Sequence, residues 1–152
     1  MPEFSITVVD GEEVHADRDV TNYYYFLMPP KDQLVQIITG KEEEKVPTFV
    51  RVRVYYSVKL LGPVFGGFDI IMLDCEGNEF TVGSGTFDFV NRVFENEVDI
   101  TSQLTKCGGA QPFGLNGVKV VLRQPYTIME HGIIWVEGTY KVTIKVLGTW
   151  GW

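Results

Sequence analysis

The sharpest pattern along the chain is strict alternation. In VRVRVYYSVKL, Val50, Val52, Val54, Tyr56, Val58 and Leu60 fall on one side while Arg51, Arg53, Ser57 and Lys59 fall on the other. Successive side chains of an extended chain point to opposite faces, so this run predicts a strand with one face on a core and one in water. Tyr140, Val142, Ile144 and Val146 alternate in the same way with Lys141, Thr143 and Lys145, which predicts a second half-exposed strand in an antiparallel sheet. Shorter apolar runs occur at Phe4 to Val9, Tyr23 to Met28, Leu34 to Thr39, Phe68 to Leu73, Glu79 to Val82, Val118 to Leu122 and Tyr126 to Met129. Gly, Pro or charged turns separate them at the spacing of a sandwich or barrel, and about eight or nine strands are expected.

Two segments depart from period two. Thr86 to Phe94 places Phe87, Val90 and Phe94 at i, i+3 and i+7, with Thr86 positioned as an N-cap and Asp88 in the first turn. That spacing predicts one short helix. Leu60 to Phe68 is an apolar loop carrying Gly62, Pro63, Gly66 and Gly67, so Val64 and Phe65 stand at a loop tip, where exposed apolar residues need a reason.

The chain has 152 residues, 45% of them hydrophobic and 22% charged, which fits one ordered domain spanning residues 1–152 and argues against wholesale disorder. Thirteen Lys and Arg against twenty Asp and Glu give a net charge of -7, a poor balance for gripping phosphate backbones, so nucleic acid is not an expected partner. Charges or glycines interrupt every apolar run well before the roughly 18 residues that a spanning helix needs. MPEFSITVVD has no basic start, apolar run or small-residue cleavage site, so a cytoplasmic location is expected unless a leader has been removed. Cys75 and Cys107 form neither a metal cluster nor a CxxC pair, and one disulfide or two free thiols both stay open.

The inventory for catalysis is thin. His15 and His131 sit in polar or turn-like surroundings, and Ser84 in GSGTF is out of register for a nucleophile elbow. Asp69, Asp74, Glu76 and Glu79 lack the spacing of a calcium loop. No catalytic residue, metal or cofactor is therefore expected. What the chain has in excess is apolar and aromatic residues beside the regular strands: Val64, Phe65, Phe87, Phe89, Val90, Phe94, Tyr126, Met129, Ile133, Ile134 and Trp135. They either close the ends of a filled core or form a hydrophobic mouth.

One order of residues bears on that choice. Cys75, then Gly83-Ser84-Gly85-Thr86-Phe87-Asp88-Phe89, then Cys107, Pro112-Phe113, Gly117, Pro125 to Ile128, Trp135 and Gly138-Thr139-Tyr140-Lys141-Val142 resembles the ML lipid-recognition family, the family of the GM-two ganglioside activator. The resemblance covers about the last two-thirds of the chain. It implies an all-β fold, an antiparallel two-sheet sandwich opened into a β-cup with one short helix near the mouth. It further implies a non-enzymatic function, the binding, extraction or transfer of a glycolipid, phospholipid or sterol in an apolar cavity.

By the same resemblance, the loops Gly62 to Phe68 and Ile133 to Trp135 lie at the rim and touch membrane, while Phe87, Phe89, Val90 and Phe94 line the entrance. Its implied partners are a lipid ligand, a membrane surface in transient contact and a lipid-processing enzyme or receptor, in a secreted or lysosomal setting. Gly85, Asn91, Gly109 and Gln111 stand where the family carries cysteines, so most of its cross-links are missing. Each missing bridge removes roughly 2 to 4 kcal/mol of support.

The competing expectation is a compact β-sandwich with a filled core, serving carbohydrate binding or assembly, with Tyr55, Trp135, Trp150 and Trp152 as sugar platforms or interface anchors. The lipid expectation requires a cavity of several hundred cubic ångströms, about what a drug-sized or larger ligand needs.

Overall fold

The computed structural model describes residues 3–26, 48–74, 76–104 and 115–151. The strand expected at 34–39, Cys75, Cys107 and Trp152 lie outside the described residues, as do the side chains of Val50 and Trp150.

Ten strands and one short helix follow in order: β1 (Glu3–Ala16), β2 (Val20–Tyr25), β3 (Thr48–Leu61), β4 (Gly66–Asp74), β5 (Glu79–Phe87), β6 (Val93–Asp99), α1 (Thr101–Leu104), β7 (Leu115–Leu122), β8 (Tyr126–Met129), β9 (Gly132–Trp135) and β10 (Gly138–Gly151). They form two four-stranded sheets, β1-β10-β3-β6 and β2-β7-β4-β5, and a separate hairpin, β8-β9. Every pairing is antiparallel. With the hairpin set aside, the first sheet takes the first, eighth, third and sixth strands and the second takes the second, seventh, fourth and fifth. This is the double Greek-key order of a jelly roll.

That order has a geometric consequence. In the first sheet Ala16 pairs with Gly138, Leu61 with Thr139 and Lys59 with Val93. In the second, Val20 and Phe68 both pair with Leu122, and Gly66 with Phe87. The connections β1–β2, β3–β4, β5–β6 and β7–β10 are thereby brought to one end of the sandwich.

The alternation expected for β3 and β10 is what the sheets use. Val52, Val54, Val58, Val142, Ile144 and Val146 are wholly buried on the inner face of the first sheet, against Phe68, Ile70, Met72, Val118, Val120 and Leu122 of the second. Fully burying such side chains contributes roughly 1.5–3 kcal/mol each, before chain entropy is set against it. At the loop end, where the mouth of a cup was expected, an aromatic cluster bridges the sheets. Phe87 lies 5.0 Å from Phe94, 5.7 Å from Phe68 and 5.8 Å from Tyr140, centroid to centroid.

The helix expected over Thr86 to Phe94 is not formed. Phe87 ends β5, residues 88–92 make the connection and Val93 starts β6. Both ends of the segment are captured by strand pairing, Phe87 by Gly66 and Val93 by Lys59. Between them Asp88 Oδ1 accepts hydrogen bonds from the backbone N–H of Val90 and Asn91 at 2.8 and 2.7 Å, a side-chain-to-backbone turn that competes with helix. The i, i+7 relation of Phe87 and Phe94 comes from two facing strands whose rings meet inside the sandwich. The short helix is α1, which follows the other end of β6 where Asp99 pairs with Arg53, away from the expected mouth.

Tyr140 ties the two sheets together. From β10 its hydroxyl accepts the Gly67 N–H of β4 at 3.2 Å and donates to the Arg123 carbonyl beyond β7 at 2.7 Å. A Cβ on Gly66 would collide with that hydroxyl, so the close approach requires glycine there. Burial pushes the Tyr140 phenol up to about 12. An acid whose folded-state value is raised contributes stability that is complete below its unfolded value near 10 and lost as pH rises through 12. Tyr140→Phe should lower stability by about 1–3 kcal/mol in urea melts at neutral pH, because a buried donor loses its acceptor. Between pH 10 and 12 the variant should lose roughly 2–3 kcal/mol less than the parent, since the titrating group is gone.

Candidate functional site

The four connections gathered at one end build the candidate site. The β3–β4 and β5–β6 loops are fastened to each other by Arg92. Its guanidinium donates to the carbonyls of Val64 at 2.5 Å, Leu60 at 2.7 Å and Asp88 at 3.2 Å, and also to that of Gly62. A planar guanidinium can serve several carbonyls at once, which an ammonium of the same charge does less well. The β8–β9 hairpin is fastened in turn to the β3–β4 loop. Phe65 N–H donates to the Tyr126 carbonyl at 2.8 Å and Tyr126 N–H donates back at 3.0 Å.

On this frame stands a continuous row of rings. Phe89 meets Phe65 edge-on at 4.6 Å, Phe65 stacks on Tyr126 at 5.4 Å, and Tyr126 meets Trp135 edge-on at 5.6 Å. Three different connections supply the four residues. On the same connections Val90, Ile128, Met129, Ile133 and Ile134 are exposed, as is Val93 at the start of β6. In the hairpin Tyr126 faces Trp135 and Ile128 faces Ile133 across the strands. Exposed apolar side chains on both faces of β8–β9 mean that the hairpin projects from the sandwich.

The expected rim residues thus divide. Phe65, Phe89, Tyr126 and Trp135 come together, while Val90, Met129, Ile133 and Ile134 are exposed on the same connections. Trp135 is 60%, Phe89 68% and Val90 87% exposed, values that place them outside the core. Val64 is half-buried against the core. Phe87 is fully buried and Phe94 packs beside it, so neither lines an entrance. Ile128 and Val93 were missed. The signal for β9 was present, since Gly132 at φ 123° follows a Glu130-His131 turn between two apolar runs, which marks a hairpin. Tyr55 lies elsewhere, on β3 beside Glu97 and Lys145, with its hydroxyl donating to Glu95 at 2.8 Å.

Among the described residues, no group of three or more His, Cys, Asp or Glu is placed to hold a metal ion. Ser84 pairs with Asp69, whose carboxylate is held by Arg123 at 2.8 Å, and His15 faces Glu137 at 3.4 Å. None of these is joined into a nucleophile–base–orienter constellation.

No protein-family description matches the chain, and no curated protein does. Among solved structures it is similar to the infectious bursal disease virus VP2 subviral particle, with a TM-score of 0.49 at 9% identity over 96% of this chain and 32% of that one. It is also similar to the infectious bursal disease virus Gx strain structure, with a TM-score of 0.39 at 8% identity over 97% of this chain and 31% of that one. The chain therefore spans about a third of the length of either.

The clamp and the turn beside it can each be tested. Arg92→Ala should lower stability by about 1–3 kcal/mol and speed amide exchange in both loops, because four carbonyls lose a charged donor; Arg92→Lys should recover only part of this. The Asp88 carboxyl is held below the usual carboxylate range, first by the Asn91 backbone N–H and then by that of Val90. A lowered carboxyl keeps its contribution above the ordinary carboxylate value and loses it as pH falls through its own lower one. In an acid titration followed by NMR, the Val90 and Asn91 amide signals should hold through the ordinary range and move only below it. Asp88→Ala should abolish that transition.

Proposed function

We propose that the chain is a non-catalytic β-sandwich assembly module whose copies associate through the apolar loop end. The observation that carries this reading is the ring row Phe89, Phe65, Tyr126 and Trp135, together with exposed Val90, Ile128, Ile133 and Ile134 on loops that are already fastened. Exposed apolar side chains concentrated on the connections at one end of an otherwise acidic domain call for a partner surface. Apolar contact is not directional, so such a patch is complementary to its own copy, as an isologous interface requires. Loops pinned by Arg92 lose little freedom on docking, which leaves more of the burial energy for association. The packed interior at the described residues supports this compact form over a cup, because the side chains that would line a lipid chamber are engaged with one another.

Contact of the same end with a lipid surface is the second reading, favoured by Trp135 and the isoleucines on a projecting hairpin, where an aromatic can sit at a membrane interface. The net charge of -7 opposes anionic bilayers, so neutral vesicles are the proper probe.

Sedimentation over a range of about 1–300 μM should reveal reversible self-association. Phe89→Ser combined with Ile133→Ser should weaken it by about tenfold or more while changing stability by less than about 1 kcal/mol, as expected for exposed positions. A chain that stays monomeric at the highest concentration overturns the assembly reading; flotation with neutral vesicles in that case would establish the lipid one.

A further inference from the structure

A separate cleft lies at the foot of the hairpin. It measures about 210 Å³ and is lined by Asp19, Thr86, Arg123, Gln124, Tyr126 and Trp135. Gly66 and Gly67 complete the lining. A Cβ on Gly66 would strike the Tyr140 hydroxyl, so that position is kept bare. The β4 backbone is held there by the Arg123 N–H, bonded to the Gly67 carbonyl at 2.9 Å.

The walls combine two chemistries. The indole of Trp135 offers a broad apolar face, positioned edge-on by Tyr126. The rest of the lining includes groups with hydrogen-bonding capacity to spare. Asp19 uses Oδ1 to accept the Gln124 N–H at 2.7 Å. Among the described residues its second oxygen, the Gln124 carboxamide and the Thr86 hydroxyl have no protein partner. Together they supply both donors and acceptors.

Size and charge select the ligand. The volume falls below the roughly 300 Å³ at which drug-sized pockets begin, which points to a small ligand of about one ring. Arg123 is already neutralised by Asp69 at 2.8 Å and Asp19 adds a further negative charge, which turns an anion away. A neutral polyol with an apolar ring face and hydroxyls at its edge satisfies every wall. We propose that this cleft binds one pyranose ring of a carbohydrate, stacked on Trp135 and hydrogen-bonded to Asp19, Gln124 and Thr86. The cleft shares Tyr126 and Trp135 with the ring row, but its polar groups lie outside that row and sugar binding does not require association.

The test is an NMR titration of ¹⁵N-labelled chain with the methyl glycosides of glucose, galactose, mannose and N-acetylglucosamine, to about 50 mM, since a single sugar ring on an open cleft binds in the millimolar range. At least one should shift the Trp135 indole and the Gly66, Gly67 and Thr86 amides in a saturable manner. Trp135→Ala and, separately, Asp19→Asn should weaken that sugar by about tenfold. Asp19→Asn keeps an acceptor for the Gln124 N–H, so it remains informative should the tryptophan variant misfold. Arg51→Ala, on β3 outside the cleft, should leave sugar binding unchanged. Absence of a shift with all four glycosides, shifts confined to other surfaces, undiminished binding in both cleft variants, or saturation by inorganic phosphate instead would each overturn the proposal.

Discussion

The buried phenol of Tyr140 holds the loop end together. It reaches from β10 across the sandwich, takes a hydrogen bond from β4 and gives one to the segment after β7, while its ring lies against Phe87 at the end of β5. Four strands from both sheets are thus referred to a single side chain. The arrangement works only because Gly66 lets the β4 backbone approach it, and because the hydroxyl finds both a donor and an acceptor instead of being buried unpaired. Everything exposed at that end, from the Arg92-clamped loops to the projecting hairpin, is mounted on this junction.

The junction also explains why the end of the domain carries apolar residues in two distinct environments. Phe68, Phe87, Phe94 and Tyr140 meet in the interior and complete the core, whereas Phe65, Phe89, Tyr126 and Trp135 form a second row outside it. The inner row stabilises the fold. The outer row is ordered by backbone hydrogen bonds and Arg92 without being buried, a combination that suits a preformed contact surface. Below it, the cleft bordered by Trp135 adds polar groups to an aromatic wall, so a single hairpin serves two surfaces of different chemistry.

Local pattern carries part of this arrangement and long-range packing the rest. Val52 to Leu60 and Tyr140 to Val146 lie with the faces that their alternation assigned, because a strand's period is local and one buried face leaves no freedom of register. The rim residues Phe65, Phe89, Tyr126 and Trp135 were recognisable as apolar positions flanked by glycine, proline or turn residues. Phe87 and Phe94 were misjudged because spacing along the chain cannot distinguish a helical face from two strands joined by a tight loop; the Asp88 turn was the deciding feature. Arg92 and Tyr140 gave no sequence signal for their roles, since their partners are backbone groups at distant positions.

Alternation, composition and turn residues were sufficient to specify an all-β sandwich or barrel whose strands have one wet and one dry face, since each of these is a property of neighbouring residues. The order in which the strands cross between the sheets, and with it the gathering of four connections at one end, was settled only by long-range pairing. Backbone hydrogen bonds between strands are nearly indifferent to side-chain identity. The choice of partner therefore rests on how all the inner faces pack at once, and that information is distributed over the whole chain.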